Sequence, residues 1–262
     1  MAEAKTAVAH KPVWTDLSTS DAAAARDFYS KVFGWKVEVN PDPQYGGYAL
    51  ATVGGKDVAG IGPKQMAEAP TAWSVYIGTA DAADTVKKAE AAGGKVIVAP
   101  MDIGDQGKFA FIADPSGAVI GVWQAKNMAG ARLIDAPNSM GWAELNARGA
   151  EKAIPFYKKL FGWGEKKTPA SAQNPTEYTE FQLDGKSVAG AMEMNEMVPA
   201  QVPSYWMVYF NVDNVDKAFD KVIAEGGKEM LSPQDMPGGR FAIVSDPQGA
   251  AFGLLKMEEP SK

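Results

Sequence analysis

The hydrophobic pattern along the chain changes period in a fixed order. Residues 13–17 are short and strand-like. Ser20-Asp21 then precedes Ala25, Phe28, Tyr29, Val32 and Phe33 at helical spacing, and Gly34 closes the run. A period near 3.6, opened by a side chain able to cap free N–H groups and ended by a residue tolerant of left-handed backbone, predicts an amphipathic helix. Residues 36–39 predict a further strand, and residues 48–53 and 58–61 two more across a turn at Gly54-Gly55. The order then starts again. Residues 72–78 read as a strand, 83–92 as a helix stopped by Gly93-Gly94, and 95–98 as a strand. Residues 108–113 and 118–124 form a hairpin around Asp114-Pro115-Ser116-Gly117.

That whole arrangement occurs twice. Phe28-Tyr29-Ser30-Lys31-Val32-Phe33-Gly34-Trp35 returns as Phe156-Tyr157-Lys158-Lys159-Leu160-Phe161-Gly162-Trp163, and Trp14-Thr15-Asp16-Leu17 as Trp142-Ala143-Glu144-Leu145. Farther along, Trp73-Ser74-Val75-Tyr76 matches Trp206-Met207-Val208-Tyr209, and Asp114-Pro115-Ser116-Gly117 matches Asp246-Pro247-Gln248-Gly249. A repeat this long means two copies of one domain. Residues 1–11 are expected to be a tail, 12–125 the first domain, 126–138 a linker and 139–258 the second domain.

With 262 residues, 46% of them hydrophobic and 22% charged, the chain has material for two cores, and no apolar run approaches a membrane span. Residues 1–12 lack the apolar stretch of a secretory signal, so the cytoplasm is the expected compartment. The absence of cysteine excludes disulfides, thiolate catalysis and zinc-thiolate sites. A net charge of -6 without a Lys/Arg cluster argues against nucleic acid. The expected partner is a small molecule, with neither nucleic acid nor membrane involved and a homodimer left open.

Three features together resemble the vicinal oxygen chelate (VOC) superfamily, which includes glyoxalase I, extradiol dioxygenases and bleomycin-resistance proteins. They are the spacing from Asp21 to Phe28-Tyr29 with Phe33-Gly34-Trp35 behind it, the Asp-Pro-x-Gly hairpins at Asp114 and Asp246, and the glycine helix stops at Gly93 and Gly226. Within the superfamily the chain looks most like tandem glyoxalase-like proteins of actinobacteria labelled hydroxylases or antigens. The second copy departs at one point, with Gly149 where the first has Asp21. The resemblance covers nearly the whole chain. It implies an α+β fold of two tandem domains, each built of two βαβββ units that form a cupped sheet, with a divalent metal commonly held in the cup.

The metal positions of the family fall on residues that do not suit a metal. Where the first-strand histidine is expected stand Trp14 and Trp142; the second histidine falls near Ser74 and Met207; the glutamate becomes Gly121 and Gly253. His10, the single histidine, precedes the first strand and reads as a solvated tail residue. Neither a cofactor nor a divalent metal is therefore expected.

Strand alternation puts Trp14 and Asp16 on one face, and Trp142 and Glu144 on the equivalent face of the second copy. Trp123 shares a face with Gly121. An aromatic wall beside an acid suits a flat or cationic organic ligand, and the thioethers at Met192, Met194 and Met197 suit an adaptable apolar pocket. Plain packing explains the tryptophans and methionines equally, and Asp16 and Glu144 would serve as well in ion pairs or loop caps. Glu193 offers a lone metal ligand or general base, although its first-copy counterpart lies near Pro63. Asp102 and Asp105 read as turn residues in a loop before the last hairpin of the first copy.

Three functions compete on this reading. The first is a metal-independent protein that binds a small aromatic or cationic molecule, as bleomycin-resistance proteins do. The second is a glyoxalase-like lyase or hydroxylase-type enzyme acting on a small carbonyl metabolite, with Asp16 or Glu144 as acid or base. The third is a structural or regulatory partner with vestigial cups.

Overall fold

The computed structural model describes residues 10–170, 176–196 and 198–258. The first copy runs β1 (Pro12–Thr19), α1 (Ala22–Phe33), β2 (Lys36–Val39), β3 (Ala49–Val53), β4 (Lys56–Pro63), β5 (Ala72–Gly78), α2 (Ala82–Ala91), β6 (Lys95–Ile103), β7 (Gly107–Ala113) and β8 (Val119–Ala125). The second repeats it as β9 (Met140–Ala147), α3 (Ala150–Phe161), β10 (Gly164–Thr168), β11 (Tyr178–Leu183), β12 (Lys186–Glu193), β13 (Tyr205–Asn211), α4 (Val215–Ala224), β14 (Lys228–Met236), β15 (Gly239–Ser245) and β16 (Ala251–Met257). Each copy forms one eight-stranded mixed sheet, ordered β2-β3-β4-β1-β5-β8-β7-β6 and β10-β11-β12-β9-β13-β16-β15-β14. This is the α+β tandem architecture, with the βαβββ unit occurring twice per sheet.

Local chemistry accounts for the helix ends. Asp21 caps α1 by accepting from the Ala24 amide at 3.0 Å, and Gly34 ends it in left-handed backbone at φ +68°. Asp81 and Asn214 cap α2 and α4 in the same way. Gly149, at the start of α3, supplies no such side chain. The carboxylate of Glu193, arriving at the end of β12, takes its place by accepting from the Gly149 and Ala150 amides at 3.0 and 2.7 Å. The acid read from sequence as a lone ligand or general base is a helix cap borrowed from a neighbouring strand.

The compact units cut across the sequence copies. One contains Val75–Gly130 and Ala143–Trp206; the other contains Thr15–Ser74, Ala131–Trp142 and the residues from Met207 on. In the latter, α1 packs with α4, and Phe28, Tyr29, Phe33, Trp35 and Trp73 meet Phe210 and Phe252 of the second copy. In the former, α2 packs with α3, and Tyr157, Phe161 and Trp163 gather around Phe181 and Trp206. The two cores exchange volume at equivalent positions. Phe210 and Phe252 in one correspond to Ile77 and Ile120 in the other, while Ala51 corresponds to Phe181, and all six are buried. Filling each core to the same density by different residues is what close packing requires.

Three sequence expectations change. Residue 95–98 is only the start of β6, which continues through Pro100 to Ile103 as an edge strand with register shifts; an edge tolerates proline because no ladder hydrogen bond is lost there. Asp102 therefore lies in a strand, where Lys126 and Lys108 meet its carboxylate, whereas Asp105 does sit in the following turn. His10 is not a solvated tail residue: it is half-buried, and its carbonyl accepts from the Trp163 indole at 2.6 Å. Met197 lies outside the described residues.

Candidate functional site

Each copy pairs its first-strand acid with a tyrosine that the sequence reading did not single out. In the first, parallel pairing of β1 with β4 sets Asp16 opposite Gly60. The glycine leaves room for Tyr48, whose hydroxyl donates to Asp16 Oδ2 at 3.2 Å. A Cβ at Gly60 would collide with that hydroxyl, and one at Gly62 would stand 3.0 Å from the ring. Tyr48 thus lies across two glycines of β4. In the second copy Glu144 stands opposite Gly190, and the Tyr178 hydroxyl donates to Glu144 Oε2 at 2.9 Å. Asn146, two residues along β9, donates to Glu144 Oε1 at 3.2 Å. Glu144 is only 8% exposed, so a charge there depends on hydrogen bonds or a counter-charge. Tyr205 opens β13; its burial, and then the nearby charge of Glu144, raise its phenol pKa above the ordinary value.

The other half of each family metal position is occupied by an aromatic ring. Tyr76 lies against Gly121 and Tyr209 against Gly253, so closely that a Cβ on either glycine would enter the ring. Parallel pairing puts each tyrosine directly beside its glycine. Trp14 and Met207 are buried, Trp142 is half-buried, and Ser74 is engaged through its carbonyl, which accepts from Thr15 at 2.7 Å. These positions offer no imidazole, thiolate or carboxylate, and the ring contacts leave no room to add one at Gly121 or Gly253. The family's usual divalent metal does not fit this donor set. Among the described residues, no cluster of three His, Cys, Asp or Glu side chains is placed to hold a metal.

The remaining sequence candidates are spread differently. Trp123 is 7% exposed; its indole donates to the Met128 carbonyl at 2.8 Å and its ring covers Gly107. It belongs to the packing between β7, β8 and the segment that follows. Met192 is half-buried and stands in register with both Asn146 on β9 and Tyr178 on β11, so it joins the Glu144 face. Tyr48 and Tyr178 had a usable signal, since both precede or open equivalent strands facing a duplicated glycine. Tyr205 had none, because its first-copy counterpart is Ala72.

A second set of acid–tyrosine pairs is wholly internal. The Tyr29 hydroxyl donates to Asp246 Oδ2 at 3.1 Å and accepts from the Trp73 indole at 2.9 Å. Asp246 also caps its own hairpin through the Gln248 and Ala250 amides. Burial raises both the Tyr29 phenol, well above its usual value, and the Asp246 carboxyl. Tyr157 accepts from Trp206 at 2.8 Å, and burial followed by the Asp114 charge raises its phenol as well. This contact is looser. Asp114 Oδ2 lies close enough to act on the phenol by its charge, yet it makes no hydrogen bond. These pairs bind sequence copies together and do not form part of the Glu144 face.

Comparison with known proteins agrees with this architecture. The model of the Glyoxalase/Bleomycin resistance protein/Dioxygenase superfamily matches residues 11–122 and 139–254. The chain is 39% identical over 251 residues to "Putative glyoxylase CFP32" of Mycobacterium tuberculosis, covering 94% of each chain. It is 35% identical over 263 residues to "Anthracycline biosynthesis protein DnrV" of Streptomyces peucetius, covering 95% of this chain and 94% of that one. Among solved structures, the Mn(II)-bound glyoxalase from Novosphingobium aromaticivorans superposes with a TM-score of 0.65 at 14% identity, over 96% of this chain and 84% of that one. The 2,3-dioxygenase LapB from Pseudomonas sp. KL28 gives 0.64 at 12% identity, over 97% and 94%. Those two likenesses concern fold, and the matched relatives concern ancestry: the chain belongs to the glyoxalase/bleomycin resistance protein/dioxygenase superfamily.

Proposed function

We propose that this chain is a metal-independent member of its superfamily that binds a small organic molecule, aromatic or cationic, on the acid-bearing faces of its sheets, in the cytoplasm. The observation that carries the reading is the replacement at the metal positions: tryptophans stand in place of imidazoles, and Tyr76 and Tyr209 fill the space a carboxylate would need at Gly121 and Gly253. Beside the carboxylates of Asp16 and Glu144 stand the half-buried phenols of Tyr48 and Tyr178, a combination that favours stacking and hydrogen bonding over metal chelation. The name of one relative, an anthracycline biosynthesis protein, supports a small organic partner.

The contact between the Tyr178 hydroxyl and Glu144 favours a second reading, a lyase or hydroxylase-type enzyme acting on a small carbonyl compound by carboxylate acid/base chemistry. It requires turnover that disappears in Glu144→Gln. The deciding measurement is elemental analysis of the purified protein before and after chelation, followed by a thermal-shift screen of flat aromatic amines on the chelated protein. The expected result is less than stoichiometric metal and a raised Tm with at least one amine. Stoichiometric transition metal, lost together with ligand response on chelation, would overturn the proposal.

A further inference from the structure

We propose that the second copy carries a site for a small zwitterion, with a carboxylate and an ammonium a few bonds apart as in an α-amino acid, in a polar cavity at the N-terminal end of α4. Alternation along β15 puts this cavity on the face of the sheet opposite the one that carries Ile243 and its neighbour Gly253.

The cavity encloses about 230 Å³ between the start of α4 and the adjoining ends of β14, β15 and β16. Strand register sets Asp235 beside Arg240 and Arg240 beside Lys256. Sites for drug-sized molecules run to roughly 300–1,000 Å³, so this one has room for a metabolite of a few heavy atoms. Arg240 is already spent: both oxygens of Asp216 and one of Asp235 accept from its guanidinium at 2.7–2.9 Å. Lys256, Asp213 and Glu258 also line the cavity and are exposed. Among the described residues, none of these three side chains has a hydrogen bond or an ion pair.

The corresponding corner of the first copy is closed by its own residues. There Gln124 accepts from the Ala82 amide at the start of α2 at 3.0 Å, and Lys126 and Lys108 meet Asp102. In the second copy Lys256 stands in place of Gln124, Glu258 in place of Lys126 and Asp213 in place of Ala80, while Arg240 and Asp235 keep the pairing of Lys108 with Asp102. Val215, the first residue of α4, therefore has no counterpart of the Gln124 acceptor among the described residues. The exchange leaves one free cation, two free anions and an uncapped amide around one opening.

A ligand carboxylate answers Lys256 and the Val215 amide, and a ligand ammonium answers Asp213 and Glu258. A plain anion is repelled, because four carboxylates line the cavity against two bases. A plain cation leaves Lys256 unanswered beside it. Among the described residues no three carboxylates are placed to hold a metal ion, which leaves an organic ammonium as the positive end.

The test titrates the ¹⁵N-labelled full chain with L-alanine, L-alanine methyl ester and N-acetyl-L-alanine, reading the amide shifts of Val215, Gly239 and their neighbours. L-alanine is expected to move these amides with the lowest Kd, each blocked form binding several-fold more weakly. Lys256→Gln, which installs the first-copy residue, should weaken L-alanine about threefold and leave the methyl ester unchanged. Glu258→Gln should weaken L-alanine and the methyl ester about threefold and leave N-acetyl-L-alanine unchanged, the scale of an exposed ion pair in each case. Both substitutions fall on exposed side chains without partners, so Tm should stay at the wild-type value and folding does not confuse the result. Shifts confined to other regions, no shift at the solubility limit of L-alanine, or unchanged L-alanine binding in both variants would overturn the site. A methyl ester or N-acetyl form that binds as tightly as L-alanine would overturn the zwitterion.

Discussion

Tyr29 shows how far a single hydroxyl ties this molecule together. It donates to Asp246, accepts from Trp73, and sits fully buried among Phe33, Trp35 and Phe252. Burial raises its pKa well above 10.0, and that of Tyr157 likewise, so the fold favours the protonated phenol. The stability each tyrosine contributes is fully present below the unfolded value near 10 and falls as pH climbs above it. The slope is about 1.4 kcal/mol per pH unit per tyrosine until the folded phenol itself ionises. Asp246 runs in the same sense at the acid end. Its raised pKa means that its contribution is present below the ordinary carboxylate value and is lost as pH rises through the folded one. Urea denaturation at about pH 7 and 10.5 should show marked alkaline destabilisation. Tyr29→Phe should lose about 1–3 kcal/mol at neutral pH, because Trp73 and Asp246 lose a buried partner. It should also flatten the alkaline slope by one tyrosine's share. An unchanged slope would show that Tyr29 ionises as freely folded as unfolded.

At the scale of elements, the two copies solve one helix start in two ways. α1 carries its own cap in Asp21, while α3 begins at Gly149 with φ +93° and takes the carboxylate of Glu193 from β12. A carboxylate on free amides at a helix N-terminus gains from both the hydrogen bonds and the helix dipole. Glu193→Ala should therefore cost about 1–2 kcal/mol of stability, close to the loss in Asp21→Ala, read as a shift in the urea midpoint with no change in m. Equal stability of Glu193→Ala and the wild type would show that the amides find water instead. Both halves of this exchange stood in the sequence: Gly149 departs from Asp21, and Glu193 aligns near Pro63. What joined them is strand order, because only the parallel neighbour relation of β9 and β12 brings Glu193 beside Ala147 and the start of α3. The same limit hid the Tyr48 and Tyr178 partners of the strand acids. Alternation gives the face of a residue, and the register of a pair that is distant in sequence decides what it meets there.

For the whole molecule, the repeat made the fold legible, since periodicity and turn residues marked nearly every strand and helix twice. It did not reveal that the copies exchange partners in packing, because a period specifies an apolar face and leaves its occupant open. The occupant is settled by volume. The α1 side of one core contains the small Ala51 and closes on Phe210 and Phe252 of the second copy, while the first copy itself offers only Ile77 and Ile120 at those places. The first copy alone would also leave Tyr29 without Asp246, and the Trp35 indole without the Asn138 carbonyl it meets at 2.7 Å. Pairing two first copies restores the topology with isoleucine for phenylalanine, at a cost of about 1 kcal/mol or more per site. Residues 1–130 expressed alone should then give no stable monomer and at best a weak homodimer. Co-expressed with residues 131–262, they should form a one-to-one complex that melts cooperatively near the temperature of the intact chain. Size-exclusion chromatography with light scattering distinguishes these states. A cooperatively folded monomer of residues 1–130, with the near-UV signal of packed aromatics, would mean that each copy closes its own core and that the phenylalanine–isoleucine exchange has no bearing on assembly.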